Sequence, residues 1–165
     1  MSAADPPRER IIGLDVGTHR IGVAVSDELQ IIASPEGTLN ISQKNEGIDD
    51  AIREIVALVQ QYRVRRVVVG LPRNMKGERG VQAVWTEEFV ARLRTALEPL
   101  RVYISLMDER LTTAQAARTF EGKQGRSRGT RPTREGRATL DARAAALILQ
   151  GYLDRRRNRA SSIEQ

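Results

Sequence analysis

The 165-residue chain has no cysteine, which excludes disulfide bonds and thiolate-ligated metal sites. It has one histidine, His19, so a metal ion would be held mainly by oxygen ligands, the type that suits hard cations such as Mg²⁺. Aromatic residues make up only 4% of the chain, and a base-stacking platform is therefore not expected. No apolar run approaches the ~18 residues of a membrane span, and the first residues have no apolar signal segment. The sequence predicts a cytoplasmic protein without membrane contact.

Positive charge is in excess, and much of it lies in one segment. The net charge is +6, and residues Gly122–Arg137 contain six basic residues against the single acid Glu135, a local charge of +5. A concentrated basic segment favours a polyanionic partner, most simply nucleic acid, although a solvated loop is the alternative. With so few aromatic residues, contact would be mainly with phosphates. The basic residues of the segment proposed to contact nucleic acid are Lys123, Arg126, Arg128 and Arg131.

The hydrophobic pattern predicts an α/β protein with a mixed five-stranded sheet. Pro35 suggests an edge position or an irregularity in the third strand. One domain is expected over residues 10–156, with a flexible leader at 1–9, a basic flexible loop at 122–134 and a disordered basic tail at 157–165. The last helix is expected to bury a stripe formed by Leu140, Ala144, Leu147, Ile148 and Gly151. Three antiparallel strands are predicted first, followed by alternating helices and parallel strands. The predicted strands lie near Arg10–Asp15, Ile21–Ser26, Ile31–Leu39, Val67–Leu71 and Val102–Met107. The predicted helices begin at Asn45, span Val81–Leu97, run from Thr112 or Thr113 to Phe120, and run from Arg134–Ala138 to about Arg156.

Three acids stand in unusual contexts: Asp15, Glu109 and Asp141. Asp15 lies in an apolar strand, where an anion is costly to bury unless a cation, a metal ion or hydrogen bonds compensate it. Glu109 follows the strand Val102–Met107, and helical spacing turns Asp141 toward the sheet. Each acid also has a simpler explanation, as a turn residue, a surface acid paired with Arg110, and an early-helix acid favoured by the helix dipole.

If the three acids converge, their cluster requires divalent cations, Mg²⁺ or Mn²⁺. Two such ions about 4 Å apart suit phosphodiester hydrolysis, since one activates water and the other stabilises the leaving oxyanion. Basic loops would hold the phosphate backbone while the acids hold the metal. The composition and the candidate site therefore both favour a nuclease.

Four segments together resemble the YqgF/RuvX family: Gly13–Asp27 (GLDVGTHRIGVAVSD), Val69–Arg73 (VGLPR), Asp108–Thr113 (DERLTT) and Asp141–Gln150 (DARAAALILQ). The resemblance covers roughly residues 11 to 152. It implies an RNase H-like fold and a role as a pre-16S ribosomal RNA nuclease or a Holliday-junction-resolvase-like enzyme. It also implies that Asp15, Glu109 and Asp141 form the acidic triad.

Several neighbouring residues are weaker candidates. Arg20 could reach a scissile phosphate or hold Asp15 in an ion pair. Asp27 is expected to be a polar strand-end residue rather than a fourth ligand. His19 is expected to be a turn residue first and a proton-transfer residue second. The candidates for phosphate contact around the predicted strand ends are Arg73, Asn74, Lys76 and Arg110.

Two other functions compete with a nuclease. The turn Asp15–Thr18 resembles the phosphate-binding turn of the actin, sugar-kinase and heat-shock ATPase group, but the second such turn of those proteins is missing. A non-catalytic nucleic-acid-binding module would use the basic surface alone. Among nucleases, the substrate could be structured RNA such as an rRNA precursor, or branched or single-stranded DNA. The protein could act as a monomer or as a homodimer, and a junction resolvase should be a symmetric dimer.

Overall fold

The computed structural model describes residues 9–42, 47–71, 80–108 and 134–163. No helix in these ranges is both long enough and apolar enough to cross a lipid bilayer. Three predicted features lie wholly or mostly outside them: the leader, the short helix from Thr112 or Thr113, and the basic loop at 122–134. The described elements are β1 (Ile11–Val16), β2 (Arg20–Ser26), β3 (Ala33–Asn40), α1 (Gly47–Gln61), β4 (Arg66–Leu71), α2 (Val81–Leu97), a 3₁₀ turn (Glu98–Leu100), β5 (Tyr103–Asp108) and α3 (Arg134–Ile163).

The five strands form one mixed sheet in the order β3-β2-β1-β4-β5, with β1 at its centre. β1, β2 and β3 pair antiparallel, whereas β4 runs parallel to β1 and β5 runs parallel to β4. This architecture confirms the predicted α/β fold with a mixed five-stranded sheet. It also brings the carboxyl ends of β1, β4 and β5 to the same edge, where ligand sites of α/β sheets tend to lie.

β3 lies at one edge of the sheet and contains an irregularity. The register shifts opposite the Val23–Ala24 step, where Gly37 and Pro35 are successive partners and Glu36 is the extra residue. Proline cannot donate to the strand ladder, so it is tolerated at an edge strand or a bulge. Both expectations for Pro35 are confirmed.

Helices cover both faces of the sheet. Ile12, Leu14 and Val16 of β1 point to the face covered by α1 and α2, in a core that includes Ile55 and Phe89. Ile11 points to the opposite face, which is covered by α3. The side-chain alternation of a strand therefore places Gly13 and Asp15 on the α3 face as well.

α3 differs from the prediction in its buried stripe and in its length. The residues buried against the sheet include Ala145, Ile148, Leu149 and Leu153, whereas Leu140, Leu147 and Gly151 are only half-buried. The helix approaches two strand glycines, Gly13 and Gly22, closely on this side.

The helix also continues beyond the predicted end near Arg156, to Ile163, so residues 157–163 are helical rather than disordered. This stretch contains no proline or glycine to stop the helix, and arginine and alanine favour helix formation. The hydroxyls of Ser161 and Ser162 donate to the carbonyls of Arg157 and Asn158, one turn earlier in the helix.

Candidate active site

Asp15 lies near the carboxyl end of the central strand and is only 8% exposed. It pairs with Gly22 of β2, and Gly22 in turn pairs with Thr38 of β3. Residues paired across neighbouring strands present their side chains on the same face of a sheet. Asp15, Gly22 and Thr38 therefore form a row across three strands, facing α3.

α3 crosses this row at Asp141. A Cβ atom at Gly22 would lie 1.9 Å from the backbone oxygen of Asp141, so only glycine allows the helix this close to the strand. The Thr38 hydroxyl donates to the carbonyl of Ala138 at 2.6 Å and fixes the same part of the helix. The backbone of Asp141 thus lies against the direct neighbour of Asp15 in the sheet. This contact places the backbones of the two acids near each other, and their predicted common role stays a prediction.

The Asp141 carboxylate faces an arginine of β2. The Nε–H of Arg20 donates to Oδ2 of Asp141 at 2.6 Å, and the two side chains are 33% and 27% exposed. An ion pair was one of the two roles considered for Arg20, with Asp15 as the expected partner, and the structure shows an ion pair with Asp141. Asp141 is also two turns inside the helix that begins at Arg134, so stabilisation by the helix N-terminus does not explain its position.

The hairpin turn beside Asp15 is held from two sides. The Gly17 N–H donates to the Arg20 carbonyl at 2.9 Å and closes the turn. From α2, the indole N–H of Trp85 donates to the Gly17 carbonyl at 3.1 Å. The exposed His19 ring contacts the Thr18 hydroxyl at 2.8 Å, consistent with its predicted turn role.

The two described acids could supply carboxylate oxygens, the ligand type that suits Mg²⁺ and Mn²⁺. The backbone of Asp141 contacts Gly22, the strand partner of Asp15. Within the described ranges, no group of three His, Cys, Asp or Glu side chains could hold a metal ion. The third predicted ligand, Glu109, lies outside those ranges.

Other predicted contact residues also lie outside the described ranges. These are Arg73, Asn74, Lys76, Arg110, Lys123, Arg126, Arg128 and Arg131. The roles proposed for them stay predictions.

Asp108 and Asp27 are two further acids near strand ends, and neither points to the row. Asp108 ends β5 in register with Leu71, and alternation from Met107, which packs against α3, puts Asp108 on the α1/α2 face. Asp27 follows β2 at the opposite edge of the sheet, where its Oδ1 accepts the backbone N–H groups of Ile31 and Ile32 at 2.7 and 2.9 Å. Asp27 is thus a polar strand-end residue, as predicted, and not a fourth ligand.

Sequence analysis missed the contribution of small residues to this site. Gly13, Gly22 and Ala24 all face α3, and a Cβ atom at Gly13 would lie 2.7 Å from the Leu149 Cβ atom. The two-residue spacing of Gly22 and Ala24 in β2 was a signal for a closely packed helix. The hydrogen bond from Trp85 to the turn had no such signal, because it joins elements distant in the sequence.

The arrangement of sheet and helices is that of the RNase H-like nucleases. T. thermophilus RuvC, in complex with Holliday junction substrate, matches with a TM-score of 0.57 and 16% identity, over 90% of this chain and 95% of that one. A second T. thermophilus RuvC structure matches with a TM-score of 0.54. At this identity the likeness shows the fold alone.

The family follows from the sequence match. The model of the RuvX family, described as Holliday junction resolvase, matches residues 9–155, and the chain belongs to this family. A protein of Rhodococcus erythropolis named "Putative pre-16S rRNA nuclease" is 43% identical over 92% of this chain and 81% of its own length. Relatives of the same name in Chloroflexus aurantiacus and Caldanaerobacter subterraneus are 43% and 42% identical, and the match covers 88% and 99% of their lengths. The family predicted from the four segments is confirmed.

Proposed function

We propose that this protein is a metal-dependent nuclease that hydrolyses phosphodiester bonds during processing of the 5′ end of pre-16S ribosomal RNA. The observation that carries the proposal is the contact of Gly22, the strand partner of Asp15, with the backbone of Asp141, which places a buried strand acid and a helix acid in neighbouring positions. The names of the relatives, at 42–43% identity, support the RNA substrate. A role in ribosome biogenesis also supports the cytoplasmic location predicted from the sequence.

Asp15, Glu109 and Asp141 are the proposed ligands of Mg²⁺ or Mn²⁺. When bound, such ions lower the pKa of water and stabilise the oxyanion that leaves the phosphorus. Asp15 sits on the central strand, so its carboxylate is held in place by the sheet. Arg20 supplies a cation beside Asp141, where it can bind a phosphate oxygen through its N–H donors.

Glu109 is the proposed third acid because of its neighbour in the sequence. Asp108, the last residue of β5, points to the face away from Asp15 and Asp141. Side chains alternate between the faces of a strand, so we propose that Glu109, the residue after Asp108, lies on the α3 face with the other two acids. The proposal predicts that Glu109→Gln abolishes cleavage as Asp15→Asn does.

The proposed partners are phosphates of structured RNA, contacted by Arg73, Asn74, Lys76, Arg110 and the basic segment. A monomer suffices for single-strand cleavage. A homodimer would be needed to cut two strands of a junction in step. We therefore expect a monomer if the substrate is RNA cut in one strand, and a homodimer if it is a DNA junction.

The first test compares the wild type, Asp15→Asn and Asp141→Asn on an rRNA precursor with Mg²⁺ or Mn²⁺. Cleavage should fall on the order of 100-fold or more in both variants, because a lost ligand removes several kcal/mol of transition-state stabilisation. RNA binding should persist or tighten, since each variant removes a negative charge. Asp50→Asn, an exposed acid of α1 on the other side of the sheet, is the matched control and should cleave as the wild type does.

The main alternative is a DNA endonuclease of the Holliday-junction-resolvase type, which the family description favours. The same proteins should be tested on a four-way DNA junction. Symmetric paired cuts in the junction, with an uncut rRNA precursor, would replace the RNA proposal by this alternative. Cleavage that survives in both Asp15→Asn and Asp141→Asn would overturn the assignment of the site.

Two non-nuclease alternatives have their own outcomes. A binding module predicts that no metal supports cleavage of either substrate and that Asp15→Asn leaves every function intact. An ATP-binding protein predicts tight, saturable ATP binding in calorimetry. Either result would contradict the proposed nuclease.

A further inference from the structure

Asp141 is held by an arginine of the same chain in a way that the fold does not require. The Arg20 Nε–H donates to the Asp141 carboxylate at 2.6 Å, in a pair about one-third exposed to solvent. α3 is anchored independently, by buried Ile148 and Leu149 and by the hydrogen bond from Thr38 to Ala138. The ion pair therefore neutralises the carboxylate without carrying the packing of the helix.

The position of the Asp141 backbone lets its carboxylate change partner without moving the helix. The backbone oxygen of Asp141 lies where a Cβ atom at Gly22 would be, so helix and strand are already in direct contact. A change of partner needs only side-chain rotation. Ion pairs with this degree of exposure contribute little to stability, and their exchange costs little.

A second cation cannot approach the Asp141 oxygen that Arg20 occupies without meeting like charge. The guanidinium cannot lose its proton in a protein, so it competes with any divalent cation for the carboxylate. The bond uses only the Nε–H, whereas the other four N–H donors of arginine are on the two terminal nitrogens. Arg20 lies two residues from Gly22 on the same strand face, beside the row that contains Asp15.

We propose that Arg20 is an exchangeable counter-cation of the active site: it neutralises Asp141 until a divalent cation takes the carboxylate, and it is then released toward a substrate phosphate. This inference rests on the proposed metal-dependent function. Arg20 is thus a positioning residue that lowers metal affinity in the absence of substrate. Removing its charge should tighten metal binding, whereas a merely structural arginine would weaken it or leave it unchanged.

The test is calorimetric titration of the full chain with Mn²⁺, without nucleic acid. Arg20→Gln should bind Mn²⁺ about two- to five-fold more tightly than the wild type, the factor that corresponds to a partly exposed ion pair. Arg20→Lys keeps the charge and should bind as the wild type does. The matched control is Arg65→Gln, because Arg65 pairs through its own Nε–H with Glu9 at 3.0 Å, outside the site. Thermal unfolding with and without Mn²⁺ should show a larger stabilisation for Arg20→Gln than for the wild type.

The Asp15→Asn variant distinguishes failure of the counter-cation role of Arg20 from failure of the proposed metal site. Mn²⁺ binding that depends on Asp15 but is equal or weaker in Arg20→Gln would overturn the counter-cation role and leave the metal site intact. If neither the wild type nor Arg20→Gln shows Asp15-dependent binding, the metal site fails and the inference fails with it. Tighter binding in both Arg20→Gln and Arg20→Lys would also contradict exchange of charge, because the lysine retains it.

Discussion

Asp27 and Asp15 show how differently two carboxylates can be used in one sheet. Burial by itself raises the pKa of Asp27, but the backbone N–H groups of Ile32 and Ile31 donate to it and hold its pKa below the ordinary value of 3.8. Asp27 thereby stabilises the loop after β2 through hydrogen bonds to its backbone. Asp15, at the other edge, lies beside Gly22 and the second proposed ligand.

Asp27→Asn should destabilise the protein in a pH-dependent way. At pH 6 the loss of charge-assisted hydrogen bonds should lower the free energy of unfolding by about 1 kcal/mol. The folded-state pKa is lowered, so the wild-type advantage is complete above the ordinary pKa of 3.8 and is lost as the pH falls through the folded value. Urea unfolding from pH 6 to pH 2.5 measures this difference. An advantage that is the same at both ends of the range would contradict the role assigned to Asp27.

At the scale of residues, the sequence singles out candidate acids but does not predict what they contact. Asp15 is conspicuous because it interrupts an apolar strand, and Asp141 because it shares a helix side with apolar residues. The bond from Arg20 to Asp141 joins residues 121 positions apart. No local pattern encodes such a contact, since it depends on where α3 crosses β2.

At the scale of elements, strand glycines set the distance between α3 and the sheet. Gly22 is the critical one, because a side chain there would overlap the backbone of Asp141. Glycine is needed at this position because no side chain fits between the strand and the helix. The packing of α3 on β2 therefore also positions Asp141 in the proposed site.

Gly22→Ala should displace the helix and damage the site together. The overlap should cost about 3 kcal/mol of stability, at the upper end of ordinary overpacking, and Asp15-dependent Mn²⁺ binding should weaken with it. Chemical denaturation and metal titration give the two quantities. Gly37→Ala on β3 is the control, because a Cβ atom there meets nothing within 4 Å, and it should leave both unchanged. A Gly22→Ala protein as stable as the wild type would disprove the close approach.

The elements themselves were largely predictable, and their ends were less so. α2 spans Val81–Leu97 as predicted, since apolar residues at helical spacing mark its extent. The predicted end of α3 was wrong because residues 157–162 are exposed and their charge alone suggested a disordered tail. Helix propensity and bonds within the last turns decide such a segment, and periodicity does not report on either.

At the scale of the whole molecule, the charge of +6 should govern the affinity for nucleic acid. Replacing Lys123, Arg126, Arg128 and Arg131 by glutamine should reduce the slope of log affinity against log salt concentration by about 3. Filter binding or fluorescence anisotropy of an rRNA precursor from 50 to ~300 mM salt measures this slope.

The control for this experiment removes the same charge elsewhere. Arg53, Arg63, Arg92 and Arg94 are exposed on or beside α1 and α2, across the sheet from Asp15 and Asp141. Their replacement by glutamine should change the salt slope much less. Equal slopes for the two quadruple variants would show that the basic segment has no special role in binding.

The contact between β2 and α3 also sets the moment at which the site can first exist. Arg20 and Asp141 are 121 residues apart, so at ordinary rates of translation Arg20 is added to the chain about 6 to 24 s before Asp141. A nascent chain holds Asp15 for all of that time and has no Asp141 to pair with it. A protein proposed to cut ribosomal RNA is thus synthesised by a ribosome without carrying a complete acid pair until its last helix has emerged.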